Sequence, residues 1–165
     1  ILFASQTTQF DSISSEVNKL SFTQATQAKK LVQNLYTVAK LHPEDKKLLP
    51  LSFYWESYLN YSQGIADSTL NPRIKAHLKL LDVKTYPFET AVLLQSSAIN
   101  DVIIGNYADG LTNSLKALAI FKQLDNELFK SRCLQLLGVI CYRTRNFERS
   151  ENFSKESLSK ATPKF

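Results

Sequence analysis

A polar-aromatic pair that recurs at a fixed distance constrains this chain more than any other feature. Asn106-Tyr107 and Asn146-Phe147 stand 40 residues apart, and each aromatic is followed three residues later by a small residue, Gly110 or Ser150. An apolar run at helical spacing follows in both copies. A period of this size belongs to stacked helical hairpins, because one hairpin has an apolar face that it cannot bury alone. The 165 residues hold about four such units, and 4 Gly with 5 Pro leave few helix breakers. The expected fold is all-α, with seven or eight helices in stacked antiparallel hairpins at roughly 10–42, 48–82, 88–122 and 126–162.

Local signals place the helices. Phe10, Ile13, Val17 and Leu20 make a short amphipathic stripe after the cap candidate Asp11, and Ser21-Phe22 opens a second helix that His42-Pro43 ends. A third carries Pro50 near its first turn, the aromatics Phe53, Tyr54, Trp55, Tyr58 and Tyr61, and Gly64 as its stop. Asn71-Pro72 reads as the cap and first position of a fourth, through Leu78 and Leu81, and Tyr86-Pro87 separates it from a fifth beginning near Glu89. The sixth follows Asn106-Tyr107, the seventh holds Phe129 through Ile140, and the eighth carries Phe153 and Leu158. An apolar-x-x-small pattern announces the second helix of each pair: Phe22 to Ala25, Ile65 to Ser68, Tyr107 to Gly110, Phe147 to Ser150. A short side chain there lets two helices approach closely.

Composition excludes several functions. The net charge is +5, but the basic residues are scattered, so no basic stripe marks a nucleic-acid surface. No apolar run reaches the length of a membrane span. Cys133 and Cys141 lie eight residues apart on one helix, about 12 Å at 1.5 Å per residue, which is beyond disulfide reach. His42 and His77 have no Cys or carboxylate at ligand spacing, there is no glycine-rich phosphate loop, and no acidic pair faces a cleft. The chain is therefore expected to be no enzyme and to need no cofactor or metal. The opening Ile1 to Ser5 matches the end of a secretory leader, which points to an extracytoplasmic location, with a cytoplasmic one as the alternative. The absence of Met fits a piece of a longer protein.

Leu134-x-x-Leu137-Gly138-x-x-Cys141-Tyr142, Asn146-Phe147-x-x-Ser150, Phe153, Ser157-Leu158 and Pro163 together resemble a tetratricopeptide repeat. A second copy, Leu94, Ala98, Asn106-Tyr107, Gly110 and Ala117-Leu118, matches less closely, with Asp101 where the family places a bulky apolar residue. The resemblance implies a right-handed superhelix whose hairpin-opening helices line a concave groove for a protein or peptide. The groove positions carried across are Phe53, Ser57, Asn60 and Tyr61, then Gln95, Ile99 and Val102, then Arg132, Gln135, Val139, Tyr142 and Arg143. The family's clamp for chaperone tails is absent, since its sites hold Gln95, Ile99, Gln135 and Val139. Long repeats of this kind are similar to those of bacterial signalling and transcriptional regulators, so the expected role is a non-catalytic binding or sensing module. The alternative is a scaffold module that forms a homodimer.

Overall fold

The computed structural model describes residues 11–17, 19 and 24–161, and every regular element among them is an α-helix. The fold is all-α. Helix α1 covers residues 11–17. It is followed by α2 (Ala25–Leu41), α3 (Leu48–Gln63), α4 (Leu70–Leu78), α5 (Pro87–Ile103), α6 (Tyr107–Gln123), α7 (Glu127–Arg143) and α8 (Phe147–Ala161). Ile1 to Ser5, Phe10, Leu20, Ser21-Phe22 and Pro163 lie outside the described residues.

Helices α5 to α8 begin at residues 87, 107, 127 and 147, one every 20 residues. The three turns between them are built alike. Gly105, Asp125 and Arg145 are left-handed, with φ of 83°, 51° and 61°. In each, the following Asn N–H reaches back to a carbonyl five residues earlier: Asn106 to Asp101, Asn126 to Phe121 and Asn146 to Cys141, at 2.8, 3.0 and 2.8 Å. The left-handed residue itself donates to Val102, Lys122 or Tyr142. This is the Schellman stop, which satisfies carbonyls that the helix end leaves open. The next Asn stands just before the following helix; the side-chain oxygens of Asn126 and Asn146 cap it by accepting from the Phe129 and Arg149 N–H at 3.1 and 3.3 Å, whereas the Asn106 side-chain amide donates to Asp109 at 2.8 Å. Gly64 (φ 65°) stops α3 in the same way, with Ile65 donating to Asn60 at 2.8 Å.

The small residues expected at the close approaches behave as their size requires in the last two hairpins. A Cβ on Gly110 would lie 3.4 Å from the Ala98 carbonyl oxygen of α5, and the Ser150 hydroxyl donates to the Gly138 carbonyl of α7 at 2.8 Å. The second hairpin departs from expectation. Ile65 and Ser68 are exposed in the connection before α4, and the helix starts at Leu70, with Asn71 and Pro72 inside its first turn rather than at its cap. Helix α4 has 9 residues against 17 in α5 to α7. It lies along α5 and meets α3 through long side chains, Arg73 on Glu56 at 3.2 Å and His77 against Phe53 at 5.1 Å.

Apolar stripes from successive helices make one core running from Val17 to Ile140, with Phe53, Leu93, Phe121, Leu134 and Leu137 fully enclosed. An aromatic chain crosses it: Tyr54 of α3 meets Phe129 of α7, which stacks on Phe121 of α6 at 4.9 Å and takes Phe88 of α5 on its edge. Asp101, unexpected at an apolar position, is explained by its partners. It is buried and accepts from Asn71 of α4 at 2.6 Å and Asn113 of α6 at 3.2 Å, so one carboxylate ties three helices together. Burial pushes its carboxyl above the ordinary range. Of the Ser157-Leu158 pair, helix α8 buries Ser157, which pairs with Ser131 of α7 at 2.9 Å, and leaves Leu158 exposed.

Candidate functional site

Two adjoining hollows open along α7. The first, of about 410 Å³, is walled by Tyr54, Tyr58 and Tyr61 of α3, by Gln95 and Ile99 of α5, and by Arg132, Gln135, Leu136 and Val139 of α7. The second, of about 560 Å³, is bounded by Tyr142 and Arg143 beyond Gly138 on α7, and by Ser150, Ser154, Ser157 and Leu158 on α8. Tyr61, Gln135 and Val139 border both, so the two form one groove. No Asp or Glu occurs among the described residues that line either hollow.

The side chains of α7 face the groove because of helical phase. Arg132, Gln135, Val139, Tyr142 and Arg143 recur at three- and four-residue steps, and each such step returns to nearly the same side of the helix. The α3 wall follows the same logic with a different stripe. Tyr54, Tyr58 and Tyr61 face the groove, whereas Phe53, Ser57 and Asn60 sit one residue, or about 100°, around the helix. Phe53 is in the core and walls a separate cavity of about 540 Å³ beside the short α4. Ser57 is fully enclosed and its hydroxyl donates to the Phe53 carbonyl at 2.9 Å. Asn60 borders a third hollow of about 300 Å³ with Lys29 and Glu56. These three expected groove residues are thus displaced from it, and Tyr54, Tyr58 and Leu136 take their place.

Arg132 has the most particular surroundings. Its guanidinium carbon lies 5.0, 5.5 and 5.1 Å from the ring centroids of Tyr54, Trp55 and Phe129. Aromatic faces attract a cation without neutralising it. The side chain is half-buried and forms no ion pair among the described residues. Tyr54, by contrast, is enclosed, and burial pushes its phenol up to about 12 despite the opposing charge of Arg132.

Gln95 lines the groove yet is only 1% exposed. Its carbonyl oxygen accepts from the Ser114 hydroxyl at 3.3 Å and from the Cys133 thiol at 3.1 Å, while its amide donates weakly to the Arg132 carbonyl at 3.5 Å. This side chain joins α5, α6 and α7 beneath the site. Cys133 is buried, and that burial pushes its thiol well above the usual range, so it is no nucleophile at neutral pH. Val102 is buried, close enough to Gly110 of α6 to meet a Cβ there.

Among the described residues there is no cluster of three or more His, Cys, Asp or Glu side chains that could hold a metal, and no helix long and apolar enough to cross a membrane. Comparison with protein families, with curated proteins and with solved structures finds no match.

Proposed function

We propose that this chain is a non-catalytic binding module of tetratricopeptide type, which receives an extended peptide or a partner helix in the groove along α7. The observation that carries the reading is the wall chemistry: four tyrosines, two arginines and two glutamines around an apolar floor of Ile99, Leu136 and Val139. Aromatic rings and Arg supply the anchoring that recognition surfaces use, and the exposed Gln135 amide can pair with a strand-like backbone. A right-handed stacking of the hairpins, with this groove on its concave side, belongs to the same proposal. So does service within a bacterial sensor or regulator, for which the repeat resemblance is the support.

Selection of 12-residue peptides from a random library on the immobilised chain tests it. Enriched peptides should protect amides of α3, α5 and α7 in hydrogen exchange and lose binding to Val139→Glu, which places a charge on the groove floor. Protection confined to the opposite faces of these helices, or failure of any peptide to enrich, would overturn the reading.

A second reading, self-association through the last hairpin, rests on Tyr142 and Phe147, both exposed and in edge contact at 5.7 Å. Two such rings at the end of the described array offer a docking surface for another copy. Sedimentation over a hundredfold range of concentration separates the two, since only self-association changes the mass with dilution.

A further inference from the structure

We infer that the groove recognises an acidic segment, with a Glu or Asp side chain seated on Arg132 and a second acidic residue about five positions away on Arg143. The inference rests on the peptide-groove reading above and names its ligand chemistry. Arg132 is a half-buried cation held in place by three rings, with no carboxylate to neutralise it among the described residues. A cation in that position costs desolvation energy that a carboxylate partner would recover. The walls carry no Asp or Glu to compete with an incoming one. The rings fix the guanidinium in one orientation, so little rotamer entropy remains to be lost on binding.

The spacing follows from helix geometry. Arg132 and Arg143 are eleven residues apart on α7, which is three turns and about 16 Å, so both project to the same side. An extended peptide covers that length in about five residues. Gln135 and Val139 lie between the two arginines, where they would meet backbone and an apolar side chain. Because the groove passes Arg132 and Arg143 along the helix, an internal acidic residue fits better than a free carboxy terminus.

The probes are acetylated, amidated 12-residue peptides that lack basic residues and carry two glutamates separated by three to seven positions, with glutamine versions as controls. Fluorescence anisotropy at low and high salt should show tightest binding near a separation of five, weakened by salt. Replacing the glutamate that meets Arg132 by Gln should cost at least tenfold in Kd, and this arm leaves the protein untouched. Arg132→Gln should cost a similar factor, and the two changes together no more than either alone. Arg132→Lys, which keeps the charge but not the planar fork, should fall between; Arg143→Gln, at an exposed site, should cost only a few fold.

Glutamine peptides that bind as tightly as glutamate ones would overturn the inference while leaving the groove reading in place. Binding only by a peptide with a free carboxy terminus would overturn the internal-residue assignment. If no designed peptide binds below millimolar concentration, the acidic-ligand inference falls; if the library also enriches nothing, the groove reading falls with it.

Discussion

Replacing Gly105 by Ala probes the turn that stops α5, with no clash against neighbouring groups to confuse the result. The residue sits at φ 83°, and a Cβ built there meets nothing within 4 Å. The left-handed conformation costs an L-residue about 1–2 kcal/mol, partly offset by about 0.4–1 kcal/mol from a less flexible unfolded chain. A net loss of about 1 kcal/mol is expected, or about 2–4 °C in Tm for a chain of this size. The converse change is available at the equivalent turn. Arg145 holds φ 61° with a side chain, so Arg145→Gly should relieve the strain and gain about 0.5 kcal/mol. Asp125→Gly should gain less, since Asp tolerates this conformation better than most residues. Urea and thermal unfolding followed by far-UV circular dichroism would measure all three. A stabilised Gly105→Ala, or a destabilised Arg145→Gly, would refute the argument that these turns share one left-handed stop.

Three further outcomes are expected. Gln95→Ala should cost about 2–3 kcal/mol, because it opens a cavity and strips Ser114 and Cys133 of their acceptor, whereas exposed Gln135→Ala should stay within about 0.5 kcal/mol; urea midpoints compare them. Ser157→Ala should cost about 1 kcal/mol through the lost pairing with Ser131, read in the same assay. His77 is held below its ordinary pKa, first by burial and then by the Arg73 charge, so the unfolded chain takes up its proton more readily. Its stabilising contribution is therefore present above about pH 6.5 and declines as the pH falls through the imidazole range, a slope that His77→Gln should remove in denaturation curves between about pH 5 and 7.

The sequence revealed the regular half of the molecule through its turns. Asn106 and Asn146 marked two of three equivalent stops; the third, at Asn126, was hidden because Glu127 rather than an aromatic follows it. The short α4 was not legible, since Ile65 and Ser68 imitate a spacing that Tyr107 and Gly110 express structurally. Within the groove, the α7 stripe was legible because Arg132, Gln135 and Arg143 have no packing reason to share a face. On α3 almost every position is aromatic or small, so apolar character could not set the rotation, and the choice fell one residue away from the tyrosine stripe. Burial of Gln95 depends on Ser114 and Cys133, 19 and 38 residues away, which no local pattern reports.

Equal spacing of the stops imposes a rule of parity on any lengthening of the array. Neighbouring helices from α5 onward pack in sequence and are joined by three-residue turns, so each reverses the direction of the last. Twenty inserted residues would add one helix, reverse every element downstream and carry the Arg132 stripe to the wrong side of its neighbours. Forty would restore the direction and add a second wall in register with the first. Viable descendants of such a chain should therefore differ in length by pairs of helices, and their ligands should grow by matching increments.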